Sequence, residues 1–397
     1  MQQSAMRLYF QAAVKNRRNR NMNTKKLGFG LMRLPVVNED DKSKVDIERV
    51  CRLADRFIEE GFTYFDTAAC YHSGNSEQAF REAVAKRYPR EAYTITDKLS
   101  LFMLKEASEM PGFFQKQLEN CGVQYFDYYL LHALDASAAK QAEEWGAFDF
   151  MLDLKTKGLV KHVGFSFHDK ADVLDGILNR HPEMEYVQLQ LNYADWEDSE
   201  VQSHKCYDVC VKHEKPVLVM EPIKGGMLAN VPKEGEKLLK EACPDLSVAS
   251  WAIRFAASQE HVFKVLSGMS DEQQVEDNLS YMKEFQPLTD EEKDLVAKVA
   301  AIIKSKEKVP CTGCRYCTDG CPMKIAIPDY FKLLNRISMF GEGQLEGAKA
   351  TYKERWEKEG HGKASDCVGC RQCEEHCPQH LPITEFLEEV AKTFERR

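Results

Sequence analysis

The chain has 397 residues, 43% hydrophobic and 29% charged, a balance that suits a folded globular protein with room for two domains. A net charge of -9 excludes a general nucleic-acid binder, which needs surplus Lys and Arg to neutralise phosphates. No apolar run approaches the ~18 residues of a membrane-spanning helix, so no membrane partner is expected and the expected location is cytoplasmic.

Residues 1–25, with "MRLYFQAAVKNRRNRNMN", lack a long apolar core and a small-residue cleavage site and read as a basic, disordered tail. Met22 stands as an alternative natural start. From residue 27 to about 285, short apolar runs alternate with helix-like stretches: "LGFGLMRL", "FTYFDTA", "YTITDK", "DYYLLH", "KHVGFS", "YVQLQLN", "PVLVME" and "VFKVLS". The first helical stretch, "VDIERVCRLADRFIEEG", places Val45, Val50, Leu53, Ala54, Phe57 and Ile58 on one face. Eight such units predict an α/β fold, a (β/α)8 barrel over 26–305. No run is followed by G-x-G-x-x-G, which weakens an open dinucleotide-binding sheet. A charged helix, "LTDEEKDLVAKVAAIIKSKEK", then leads to a region rich in cysteine and short helices, such as "IPDYFKLLNRISMF", over 306–397.

That region holds the one clear repeat. "PCTGCRYCTDGCP" and "DCVGCRQCEEHCP" each read C-x2-C-x2-C-x3-C-P. Three closely spaced thiolates grip three irons of a cubane, and the fourth, after a Pro turn, reaches the other cluster. The spacing therefore assigns Cys311, Cys314, Cys317 and Cys377 to one [4Fe-4S] cluster, and Cys367, Cys370, Cys373 and Cys321 to a second. Zinc is the competing reading, but it prefers paired C-x2-C units split by a longer loop. This part resembles the bacterial two-cluster ferredoxins. The other six cysteines have no motif spacing and read as inert thiols.

Four polar residues at strand ends are not what a packed core needs: Asp66 and Tyr71 in "FDTAACYHSG", Lys98 in "TITDK" and His132 in "LLH". A barrel brings such ends to one mouth. There Tyr71 could protonate a carbonyl oxygen, Lys98 lower its pKa, Asp66 hold the lysine and His132 orient the carbonyl. Singly each has a bland reading as a cap, a solvated end or a packed ring. The joint order lifts them.

With those residues in place, residues 26–285 resemble the aldo-keto reductase family, whose catalytic Asp, Tyr, Lys and His occupy these positions. The resemblance implies a nicotinamide cofactor, NADPH or NADH. It puts Ser166 and Gln188 at the carboxamide, and Gly30, Leu31, Met32, Asp66 and Met220 along the cofactor. It puts Gly268, Met269, Ser270, Gln274, Asp277 and Asn278 at the adenosine end. Phe167 stands where the family has Asn, and Met220 where it has a stacking aromatic. No Arg or Lys follows Ser267 in "SGMSDEQQVEDN", so weak discrimination between the two cofactors is expected.

The implied function is an oxidoreductase that reduces a small carbonyl compound, or oxidises an alcohol, and is coupled to or braced by the two clusters. A redox protein partner and an anaerobic setting accompany that reading. Two alternatives stay open: an electron conduit between a partner or flavin and the barrel site, and a non-catalytic nicotinamide-binding sensor.

Overall fold

The computed structural model describes residues 25–395 apart from 39, 40, 42 and 319. The expected tail, all but Lys25 of it, and the alternative start at Met22 lie outside the described residues. Each of the eight apolar runs forms a strand: β1 (Leu27–Gly30), β2 (Tyr64–Asp66), β3 (Thr94–Leu99), β4 (Phe126–Leu134), β5 (Val160–Phe167), β6 (Tyr186–Gln190), β7 (Val217–Met220) and β8 (Val262–Ser267). Neighbours pair in parallel in chain order, and β8 returns to β1, closing the expected barrel. Parallel strands covered on both faces need apolar residues on both, which is why β1 and β2 are buried throughout.

The helix Ile47–Glu59 shows how local sequence fixes the shell. Asp46 accepts a hydrogen bond from the Arg49 N–H at 3.0 Å and so caps its start. Val50, Leu53, Ala54 and Phe57 recur at helical spacing and are buried. Phe57 meets Phe29 of β1 at 5.5 Å and Phe65 of β2 at 5.6 Å between ring centres. Burying an aromatic of this kind contributes roughly 1.5–3 kcal/mol.

The chain divides into two compact units, one of residues 1–225 and 249–289, the other of 226–248 and 290–397. The sequence places its boundary near 305. The helix Asp290–Ser305 falls in the second unit because it packs on Lys233–Ala242 and on Ile327–Phe340, both in that unit. The core of the second unit includes Ile325, Tyr330, Phe331, Leu334, Tyr352, Ile383, Leu387 and Val390. Tyr330 and Tyr352 face each other at 4.5 Å, and the Tyr330 hydroxyl donates to the Gly362 carbonyl at 2.8 Å. No described helix is long and apolar enough to cross a membrane.

Candidate active site and thiol pockets

The mouth of the barrel gathers the four polar residues. Asp66 ends β2, Lys98 lies in β3 and His132 in β4, while Tyr71 opens the turn Tyr71–Gly74 that follows β2. His72 and Ser73 in that turn hold left-handed φ of 50° and 55°, a strain fixed by the Leu34 N–H donating to His72 Nε2 at 3.0 Å. Lys98 Nζ donates to Asp66 Oδ1 and to the Thr67 carbonyl, each at 2.6 Å. Its ammonium stands 4.9 Å from the centre of the Tyr71 ring. The Tyr71 and His132 rings meet edge to face at 6.2 Å.

Electrostatics give each group a state. Burial works against the Lys98 charge, but Asp66, Tyr71 and Asp97 outweigh it and raise its pKa above the ordinary lysine value. Burial pushes Asp66 upward while Lys98 opposes. With the partners 2.6 Å apart, the pair stays ionised. Burial, then the Lys98 charge, lower His132 to about 3, so its imidazole is neutral at ordinary pH. Tyr71 differs from the expectation of a depressed pKa. Lys98 lowers it, but desolvation is larger and the phenol stands at about 12.

Three residues near the mouth escape a strand-end reading. Ser100 is fully buried and its Oγ lies 2.6 Å from His132 Nδ1. Phe102 leans on His132 at 5.3 Å yet is 60% exposed. Arg33 follows β1 and packs on Gly268 after β8. Strand alternation could have found Ser100, two positions beyond Lys98 on the same face. Phe102 and Arg33 carry no such signal.

The candidate cofactor residues line the same end. Gly30 closes β1, Leu31 is buried and Met32 is exposed. Ser166 of β5 pairs in register with Gln188 of β6. Ser166 Oγ accepts from the Ala133 N–H at 2.7 Å, whereas Gln188 Oε1 is buried with no hydrogen-bond partner among the described residues. An amide oxygen left so is an open acceptor, which fits a carboxamide N–H. Met220 ends β7. Beyond β8, Met269 is fully buried, and the Gln274 side chain accepts from Ser270 N–H at 2.8 Å and donates to Asp271 at 3.0 Å. Asn278 donates to Ser267 Oγ at 2.7 Å and accepts from the Tyr281 hydroxyl at 2.5 Å, so its amide is engaged within the fold. Gly268 and Ser270 lie in the β8 loop, and Asp277 in the helix Glu272–Met282.

In the second unit the eight clustered cysteines line two pockets. Cys311, Cys314, Cys317 and Cys377 surround one, with Pro328, Phe331, Leu381 and Ile383. Cys321, Cys367, Cys370 and Cys373 surround the other, with Met323, Ile325, Ile327 and Leu387. The two motifs repeat their backbone as well as their letters. Gly313 and Gly369 hold φ of 68° and 69°, and Arg315 and Arg371 hold 64° and 60°. These left-handed positions curl each loop back on itself, and a glycine adopts them at least cost. Four thiols around an apolar pocket fit a cubane, which takes one thiolate per iron.

Comparison with known proteins follows the same division. Residues 26–301 match the model of the aldo/keto reductase family, and residues 310–381 match that of the 4Fe-4S dicluster domain. An aldo-keto reductase of Mycolicibacterium vanbaalenii is 36% identical over 123 residues, 30% of this chain and 41% of that protein. The chain thus spans less than half the length of the first curated relatives it matches, at 41% and 44%. Among solved structures, the holo form of a Bacillus halodurans aldo-keto reductase is similar with a TM-score of 0.56 at 22% identity, over 69% of this chain and 91% of that one. A Klebsiella pneumoniae aldo-keto reductase in complex with NADPH gives a TM-score of 0.56 at 16% identity, over 69% and 90%.

Proposed function

The chain belongs to the aldo/keto reductase family, and from that premise we propose that its barrel moves a hydride between NADPH or NADH and the carbonyl carbon of a small molecule, with Tyr71 as proton donor. The observation that carries this reading is the buried Lys98 ammonium, neutralised by Asp66 at 2.6 Å and set beside the Tyr71 ring, with a neutral His132 across from it.

The dinucleotide supplies or accepts the hydride when bound. Gln188 and Ser166 would hold its carboxamide. In the reductive direction, Tyr71 hands its proton to the carbonyl oxygen as negative charge develops there. The phenolate left behind is stabilised by the adjacent Lys98 charge, and solvent restores the proton. His132 donates a hydrogen bond to the same oxygen and aims it at Tyr71. A phenol near 12 is a weak acid at rest, so the transfer is driven by the charge forming on the substrate.

We also propose that Cys311, Cys314, Cys317 and Cys377 hold one [4Fe-4S] cluster, and that Cys321, Cys367, Cys370 and Cys373 hold the second, in a ferredoxin-like module over 306–397. The clusters supply one-electron chemistry when bound, so a redox protein is the proposed partner for that module.

The test is turnover under anaerobic conditions with NADPH or NADH and a panel of aldehydes and ketones. Cofactor oxidation matched by alcohol formation is the expected result. A protein that binds the cofactor but oxidises it with no member of the panel would reject the reading.

A further inference from the structure

Strand β3 carries Lys98 past the end of its neighbour. The pairing of β2 with β3 stops at Asp66 and Thr96, where the Thr67 N–H still donates to the Thr96 carbonyl at 3.0 Å. Lys98, two residues on, lies beyond that pairing, and side chains take its peptide groups. Asp97 Oδ1 accepts from the Lys98 N–H at 2.8 Å, and Gln117 Nε2 donates to the Lys98 carbonyl at 3.0 Å. The same Gln117 nitrogen donates to Glu77 Oε1 at 3.1 Å, while Asn120 Nδ2 donates to Glu77 Oε2 at 2.7 Å. Glu77 belongs to the short helix Ser76–Phe80, which follows the turn Tyr71–Gly74 after a single residue. Its carboxyl also hydrogen-bonds to that of Asp97. One acid therefore holds the segment that carries Tyr71, and the other holds the peptide that carries Lys98.

A buried staple between strand and helix is the ordinary alternative. Amides would make such a staple with no charge to bury. Here two carboxyls, 1% and 0% exposed, touch each other. Two carboxylates do not stay ionised in so dry a contact, so one proton lies between them. Asp97 holds it, because burial and then the Glu77 charge act against its ionised form. Glu77 is the carboxylate, with Gln117, Asn120 and the Asp97 hydroxyl as its donors. Cys121 and Tyr129 also face the pair, and burial followed by the two acids keeps both protonated. Burial likewise raises Cys70, against the pull of Lys98. Lys98 itself stays with Asp66, and Lys116 acts on Glu77 from the helix Met110–Cys121.

We propose that the hydrogen-bonded Glu77–Asp97 pair is a positioning element of the barrel site, setting the Tyr71 hydroxyl against the Lys98 ammonium through one shared proton. The inference rests on the reading of Tyr71 as proton donor and deepens it. Removing the shared proton puts two negative charges in contact, drives the end of β3 and the short helix apart, and slows the transfer. Tyr71 at about 12, and Lys98 above the ordinary lysine value, still hold their own protons up to about pH 9. Activity is thus present below the pH at which the pair ionises and is lost above it.

The experiment is single-turnover oxidation of bound NADPH by an aldehyde, from about pH 6 to about pH 9, with NADPH titrations and thermal melts alongside. The anaerobically prepared full chain is compared as wild type, Asp97→Asn, Asp97→Ala and Glu77→Ala. Asp97→Asn keeps an acceptor for the Lys98 N–H and a donor for Glu77, and has no proton to lose. It should retain most of the neutral-pH rate and show no alkaline decline, whereas the wild type should slow by about tenfold toward the upper end. The two Ala variants should transfer hydride about ten- to hundredfold more slowly at every pH, with NADPH affinity unchanged throughout. A level wild-type profile, an alkaline decline that Asp97→Asn shares, or full wild-type rates in both Ala variants would each overturn the assignment. If the Ala variants melt below the assay temperature, the Asp97→Asn profile alone decides. A wild type that binds NADPH but reduces no carbonyl would defeat the proton-donor reading and this inference together.

Discussion

A neutral imidazole carries its proton on one nitrogen, and for His132 the neighbour that decides which is Ser100. If the Ser100 hydroxyl donates to Nδ1 across their 2.6 Å contact, Nε2 must bear the hydrogen and can donate it to a carbonyl oxygen. Ser100→Ala frees the imidazole to take the other tautomer. We expect carbonyl reduction to fall by about tenfold or more while the affinity for NADPH stays unchanged, a split that steady-state kinetics and a binding titration read together. Equal activity would mean that the backbone alone sets the ring. Asp66, Tyr71, Lys98 and His132 were legible in the sequence because acid-base side chains at successive strand ends have little structural reason to be there. Ser100 and Arg33 were not singled out, since Ser and Arg in loops are common and their meaning depends on loops that meet only once the barrel closes. The expected depression of the Tyr71 pKa was overtaken for a similar reason. Sequence shows a lysine nearby but not how thoroughly the phenol is desolvated.

At the scale of elements, β3 serves two faces. Alternation turns Thr96 and Lys98 inward, and Asp97 outward toward the helix Met110–Cys121. There Asp97 Oδ1 accepts from the Lys98 N–H at 2.8 Å, and the Cys121 thiol contacts Oδ2 at 3.5 Å. Glu77 accepts from Gln117 at 3.1 Å and Asn120 at 2.7 Å in the same buried network. Burial, and then the Glu77 charge, hold the Asp97 carboxyl well above the usual carboxylate range. A carboxyl raised in the folded state contributes stability below its unfolded pKa of about 4 and loses it as pH climbs toward the folded value. Asp97→Asn keeps an acceptor for the Lys98 N–H and has no charge to bury. It should therefore melt at or above the wild-type temperature at pH 8, with that advantage shrinking at pH 5, as thermal melts at the two pH values would show. A lower melting temperature at pH 8 would mean that the ionised Asp97 is the stabilising form. Strand existence was easy to read because strands of a parallel barrel leave short, largely apolar runs that alternate with helical stretches. The grouping of Gly226–Val248 with the second unit was not, because it follows from packing of Lys233–Ala242 on Asp290–Ser305 and leaves no mark in local periodicity.

Across the whole molecule, one chain belongs to the aldo/keto reductase family over residues 26–301 and matches the 4Fe-4S dicluster domain over residues 310–381. The dicluster domain was legible because the spacing of the two four-cysteine motifs is written directly in the sequence. Anaerobically prepared protein should contain about eight irons and eight sulfides, the content of two cubanes. Cys314→Ala should lower both and loosen the second unit, while the barrel, with its own core, should still bind NADPH. Iron and sulfide analysis with a cofactor titration checks both halves of that expectation, and zinc without acid-labile sulfide would refute the cluster assignment. The central claim is that Tyr71 delivers the proton at the barrel mouth. The measurement that bears on it most directly is single-turnover oxidation of bound NADPH by a carbonyl substrate, compared between wild type and Tyr71→Phe. The ring and its packing are kept, so NADPH affinity should not change, and the rate should fall by at least ~100-fold, the usual share of general acid catalysis. A Tyr71→Phe protein that reduces the carbonyl at the wild-type rate would contradict the account.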